Sequence, residues 1–123
     1  TEKLPHAIGF QDLIVYQNAI DLAMQFVDYQ IAFQNGSIFL NKSNQEVIPV
    51  NGAQIAEAWG KRQYLKHFVS KLTDATSEVY ETEHWLIVAS RCGYIPEDTS
   101  NQLLERSKEQ TRMITGMIIK AEQ

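Results

Sequence analysis

From Phe10 to Phe33 the chain reads FQDLIVYQNAIDLAMQFVDYQIAF, with apolar residues on two opposite lines of one helix. At about 100° per residue, Leu13, Ile20, Met24, Val27 and Ile31 fall within roughly 40° of one line. Val15, Ala19, Leu22, Phe26, Tyr29 and Phe33 fall on a second line roughly 200° away. Asp21, Gln25 and Asp28 occupy one groove between the lines, and Asp12 and Gln30 the other. A helix on the outside of a small monomer needs only one apolar stripe. Two stripes give one face to the chain's own core and one to something else, most simply another subunit. Val15, Leu22, Phe26 and Phe33 are the interface candidates on this helix, although periodicity leaves open which wall faces home.

Three further segments follow. The first helix is predicted over roughly Gln11 to Gln34, ended by the Asn35-Gly36 turn signal. The third runs from about Arg62 to Arg91, with Leu65, Phe68, Val69, Leu72, Ala75, Val79, Leu86 and Ile87 on one face. Gly93 follows as a left-handed cap. The fourth starts at Pro96, a favoured first-turn residue, with Glu97 and Asp98 complementing the helix dipole. Leu104, Ile114 and Ile118 form its inner line, with Ser107 and Thr111 as weaker spacers.

The segment Ser37 to Gly60 is less regular. Ile38, Phe39 and Leu40 open either a short strand or a helix, and Ala53 to Trp59 is helical again. Pro49 and Gly52 both weaken a helix passing through them. A second helix, broken or kinked near Pro49, is therefore expected. Four helices on short connections predict an all-α, up-down four-helix bundle over residues 10–123, preceded by an N-terminal extension over 1–9.

Composition changes this picture little. Hydrophobic residues make up 44% of the 123 positions, ordinary for a folded chain, and no apolar run approaches a membrane span. The start, TEKLPHAIG, lacks the apolar region of a signal peptide, and the one cysteine, Cys92, permits no internal disulfide. A cytoplasmic protein is expected. Cys92 beside Gly93 is read as packing filler at a helix end, with a reactive thiol as the alternative. The net charge of −4 argues against a dedicated nucleic-acid binder.

A local patch runs the other way. Lys61, Arg62, Lys66, His67 and Lys71 have no acid among them, and cations at a helix start oppose its dipole by about 0.3–1 kcal/mol each. Lys61, Arg62, Lys66 and Lys71 are thus candidates to bind a polyanion or the acidic residues of a neighbouring subunit, the alternative being a solvated face. Trp85 and Val88 lie off the core face of helix three. They are candidates to meet the second stripe of helix one across an interface, or else to pack, with Trp59, near the turn between helices two and three.

Glu83 falls near the middle of helix three's apolar face. A carboxylate there needs a partner or an upward pKa shift. It reads as a buried structural carboxylate holding helices in register, with Arg106, Arg112, Gln17 and Gln54 as candidate partners. Glu81 and His84 have the Glu-x-x-His spacing of di-iron bundles, but such a site needs a second motif and further carboxylates. Neither His6 nor His67 has a Glu three residues before it. There is no Gly-x-Ser-x-Gly elbow and no Gly-x-Gly phosphate loop. No catalytic residue, metal site or cofactor is expected, and the chain reads as a non-enzyme.

Three ordered segments resemble a known family. Phe10-x-Asp12-Leu13-Ile14-Val15-Tyr16-Gln17-x-Ala19-x-x-Leu22 is similar to the opening of the 23S rRNA intervening-sequence proteins. These are four-helix bundles related to the accessory variability proteins of diversity-generating retroelements. Ile55-Ala56-Glu57-x-x-Gly60-x-Arg62 resembles the family's Asn-Ile-Ala-Glu-Gly segment, with Gln54 in place of Asn and Ala58 in place of Gly. Glu81-Thr82-Glu83, followed by Leu86, Ala89, Gly93, Tyr94 and Ile95, resembles the end of its third helix and the next turn. The family's basic, alanine-rich second helix is missing, since Asn41 to Asn51 is polar and nearly uncharged. The resemblance implies the bundle and a ring-forming homo-oligomer, typically a pentamer.

The expectation is a non-enzymatic, ring-forming scaffold or adaptor that binds a partner protein or a polyanion. One alternative is a nucleic-acid-binding accessory protein of the retroelement type. Another is a bundle enzyme or metal carrier using Glu57, Glu81, Glu83 and His84.

Overall fold

The computed structural model describes residues 8–29, 31–34, 37–40 and 51–123, with residues 32–34 and 37–40 described by their backbone. A 3-10 turn (Phe10–Asp12) leads into helix α1 (Ile14–Asp28). Strands β1 (Ile31–Gln34) and β2 (Ser37–Leu40) follow, then helices α2 (Gly52–Gly60), α3 (Leu65–Arg91) and α4 (Glu97–Glu122). Each helix packs on the next in sequence, and α4 closes on α1, while β2 lies against α3. This is the expected four-helix bundle, with a small antiparallel hairpin added. No helix among the described residues is long and apolar enough to cross a membrane.

The hairpin corrects the predicted extent of helix one. α1 stops at Asp28, and Ile31–Gln34 pairs with Ser37–Leu40 in the register Ile31↔Leu40, Ala32↔Phe39, Phe33↔Ile38, Gln34↔Ser37. The physical reason is local. β-branched and aromatic residues flank Asn-Gly on both sides, and that combination favours a two-residue hairpin over a helix end. The apolar spacing alone fits either period. Asn35-Gly36 itself, residues 1–7 of the N-terminal extension, and the break expected near Pro49 lie outside the described residues. α2 is a nine-residue helix starting at Gly52.

Two local signals place the α3–α4 connection. Gly93 has φ 76°, and Tyr94 N–H donates to the Ala89 carbonyl (2.9 Å) while Gly93 N–H donates to that of Ser90 (3.0 Å). This paired arrangement closes the last turn of α3, and the positive φ is what calls for glycine. Pro96 is the residue before α4, one position earlier than predicted, and its carbonyl accepts from Ser100 N–H (3.0 Å).

The core falls into two apolar clusters. One gathers Leu13, Val15, Ala19, Ile55, Ala58, Phe68, Leu72, Ala75 and Ile114. The other gathers Leu22, Phe26, Ile31, Leu86, Ala89, Ile95 and Leu103. Between them along α3 and α4 lie Val79, Thr82, Ser107 and Gln110, all buried and mostly polar.

The question of which wall of helix one faces home is thereby answered. Val15, Ala19, Leu22 and Phe26 are the buried line of α1. Val15, Leu22 and Phe26 therefore fill the chain's own core and are not available as interface residues. Phe33 has left the helix altogether and pairs with Ile38 in the hairpin. On the other wall, Ile20 is 40% and Met24 52% exposed, while Leu13 and Ile31, beyond the two helix ends, are buried. Two residues predicted on the core face of α3, Leu65 and Ile87, are exposed, because the buried line runs through Phe68, Leu72, Ala75, Val79, Thr82, Leu86 and Ala89.

Phe26 is fully buried against the second cluster. Phe26→Ala should cost about 3–5 kcal/mol in urea unfolding. A loss below about 1 kcal/mol, the range of surface changes, would contradict this packing.

Candidate functional site

The basic run is not a uniform cationic face. Residues 61–67 are all exposed around the α2–α3 connection. Arg62 turns back on α2, its guanidinium carbon 3.9 Å from the Trp59 ring centroid and Nη1 donating to the Trp59 carbonyl (2.7 Å). Lys71 Nζ pairs with Glu57 Oε1 at 2.9 Å and with Asp74 Oδ2 at 3.9 Å. The Glu57 contact raises the Lys71 pKa and neutralises its charge locally. Of the four candidates, Lys61 and Lys66 remain as exposed cations with no ion pair among the described residues. Sequence spacing had no means of showing that α2 would bring Glu57 onto Lys71.

Glu57, Glu81, Glu83 and His84 are not assembled into one centre. Glu57 is held by Lys71, and Glu81 and His84 are exposed, with the His84 ring set edge-on against Trp85 (centroids 4.7 Å apart). Among the described residues no three His, Cys, Asp or Glu side chains converge as metal ligands would. Trp85 is half-buried and packs against the Leu22–Phe26–Leu86 cluster of its own chain; Val88 is also half-buried. Cys92 is exposed at the end of α3, so it fills no packing space.

Glu83 is half-buried on α3 and its Oε2 is buried without a hydrogen-bond partner. Burial pushes its pKa up, and Lys108 partly opposes the shift. Of its four candidate partners, Gln17 donates to the Gln11 carbonyl (3.1 Å) and Arg106 turns to α1, while Gln54 Oε1 is itself buried without a hydrogen-bond partner. Glu78 on the same helix is also raised, by burial and then by Glu81.

The most developed polar arrangement lies elsewhere, between α1 and α4. Gln110 is fully buried; its Oε1 accepts from Asn18 Nδ2 (2.6 Å), and its Nε2 donates to the Val15 carbonyl (3.1 Å) and to Asn51 Oδ1 (3.2 Å). Asn18 Oδ1 in turn accepts from Arg106 Nη2 (3.3 Å), and Gln25 Oε1 accepts from Arg106 Nη1 (2.9 Å). One network thus ties the residue before α2 to α1 and α4, and it also holds the half-buried Arg106. Beside it an open groove of about 560 Å³ is lined by Gln25, Asn101, Gln102, Glu105, Arg106, Glu109 and Arg112. Sequence reasoning missed this site. The clue was available in α4, where Ser100, Ser107 and Gln110 recur at helical spacing with Leu103 and Ile114.

With the helices and both surfaces placed, comparison with known proteins supplies the family. The profile of the 23S rRNA-intervening sequence proteins matches residues 11–116. The chain belongs to that family. A crystal structure of a protein of unknown function from the S23 ribosomal protein family of Bacteroides thetaiotaomicron is similar to it, with 25% identity and a TM-score of 0.67. The similarity covers 85% of this chain and 98% of that one. No curated protein matches the chain. Neither match names an enzyme.

Because the Glu83 pKa is raised above its ordinary 4.5, the folded chain binds that proton more tightly than the unfolded chain does. Its stabilising protonation is complete below the unfolded value and is lost as pH rises through the folded one. Glu83→Gln should therefore be more stable than the parent at pH 7.5, with the gap closing as pH falls below 4.5. Thermal melting at both pH values reads this directly. A loss of stability at pH 7.5 that disappears at the lower pH would show that the ionised carboxylate is a favourable contact instead.

Proposed function

We propose that this chain is a non-enzymatic scaffold or adaptor that works as a homo-oligomer, with the outer stripe of α1 as its self-association face. The observation that carries this reading is the unpaired wall at Ile20 and Met24. Both are exposed on a helix whose opposite wall is already committed to the core. Large apolar side chains at helical spacing gain from burial at roughly 25 cal/mol per Å², and isologous or ring contacts are the common way to bury them. The family resemblance implies a ring, typically a pentamer. Val15, Leu22 and Phe26 have no part in that face.

A nucleic-acid role has less support. It would rest on Lys61 and Lys66, since Arg62 lies on Trp59 and Lys71 on Glu57, and the net charge is −4. Repetition around a ring would multiply even a small patch, so an RNA titration across a salt series is the discriminating check.

The test of the assembly face is light scattering on the parent and on an Ile20→Glu, Met24→Glu double variant. The parent should run as a multiple of 14.1 kDa, and the variant as a monomer with an unchanged circular dichroism spectrum. A monomeric parent at micromolar concentration, or an oligomeric variant, would overturn the assignment.

A further inference from the structure

We infer that the outer wall of α1 docks on the α2–α3 corner of a second copy of the chain, so that each contact joins two different patches. The inference rests on the assembly reading above and adds to it the surface that meets Ile20 and Met24.

The charges of α1 argue against the simplest alternative, in which the wall pairs with itself. Over Ile14–Asp28 the helix carries Asp21 and Asp28 and no Lys or Arg. Both acids are exposed, and at about 100° per residue both fall within roughly 60° of Met24. Neither has an ion-pair partner among the described residues. An isologous contact, wall against wall, would gather the carboxylates of both copies around one apolar patch, and like charges oppose it. The wall calls instead for a cationic counterpart with an apolar centre.

The corner between α2 and α3 has that character. Tyr64 and Leu65 are large, exposed side chains there, and Lys61 and Lys66 flank them with no ion pair among the described residues. No acid stands between Ala58 and Thr73. The other exposed apolar residues of α3 and α4 keep acids close by in sequence: Glu81 beside Tyr80, Glu83 one turn from Ile87, and Glu122 after Ile119. Lys66 also stands in the first turn of α3, where a cation opposes the helix dipole and no acid of that turn offsets it. Carboxylates brought by another copy do offset it.

Within one copy the two patches stand apart. Ile20 Cδ1 lies 3.9 Å from where a Cβ on Gly52, the first residue of α2, would be. The corner follows the other end of α2, and nine residues at 1.5 Å each put about 13 Å between the two. Each copy therefore offers one wall and one corner to its neighbours. Head-to-tail contacts of this kind close into a ring where the rotation permits.

The test is light scattering on the full chain over a concentration series, with circular dichroism as the check on folding. Four chains are compared: the parent, the pair Asp21→Lys with Asp28→Lys, the pair Lys61→Glu with Lys66→Glu, and all four changes together. Each pair should raise the concentration needed for assembly by at least about ten-fold, because attraction becomes repulsion at two exposed charges. The chain with all four changes should assemble more tightly than either pair alone, since opposite charges face each other again. A corner pair that keeps the parent's assembly, while Ile20→Glu with Met24→Glu dissociates it, would overturn the corner and leave the assembly face standing. Dissociation by both pairs with no recovery in the combined chain would overturn the wall-to-corner match. A monomeric parent would overturn both readings.

Discussion

The buried amide of Gln110 is the contact on which the arrangement of three helices depends. Among the described residues it is the α4 side chain that reaches both the α1 backbone, at the Val15 carbonyl, and the residue that precedes α2, Asn51. A buried amide tolerates few alternative placements, because each unmade hydrogen bond costs about 1–3 kcal/mol of desolvation. The apolar clusters above and below it supply the driving force for collapse, but apolar contacts are non-directional. The amide layer between them fixes how far α1 lies along α4. Through Asn18 the same layer also holds Arg106.

That layer also sets what α1 and α4 present at the surface. Arg106 reaches the groove with neutral partners because Asn18 and Gln25 come from α1, whose acids, Asp21 and Asp28, are exposed. Had either amide been a carboxylate, the guanidinium charge would be met within the chain. On the other flank, Ile20 and Met24 are left out of the core because Val15, Ala19, Leu22 and Phe26 already fill it. α1 thus contributes to both surfaces, with Asn18 and Gln25 on one flank and Ile20 and Met24 on the other.

Most of the helical architecture was legible in the sequence. The 3.6-residue spacing located α3 and α4, and Gly93 and Pro96 marked the turn between them. The doubled stripe of helix one was also real over α1, since one wall is core and Ile20 and Met24 on the other are exposed. Its length was misread because Ile31 and Phe33 satisfy helical and strand periods alike over so few residues. The interface candidates Val15, Leu22 and Phe26 are core residues, since periodicity counts apolar positions without saying what covers them. Long-range polar contacts were not legible at all. Nothing local ties Gln110 to Asn51, 59 positions away, or Arg106 to Gln25, 81 away, and Glu57 on Lys71 likewise required the packing of α2 on α3.

The central claim, that a directional amide contact and not apolar packing alone sets the helices, is tested most directly by a double-mutant cycle on Gln110→Ala and Asn18→Ala. Urea unfolding of the parent, both single variants and the double variant gives the coupling energy. Each single change should cost about 1–3 kcal/mol, and the double variant should lose clearly less than the sum, because each partner is wasted once the other is gone. Strictly additive losses, or single variants as stable as the parent, would contradict the account and leave the apolar clusters as the whole explanation of the fold.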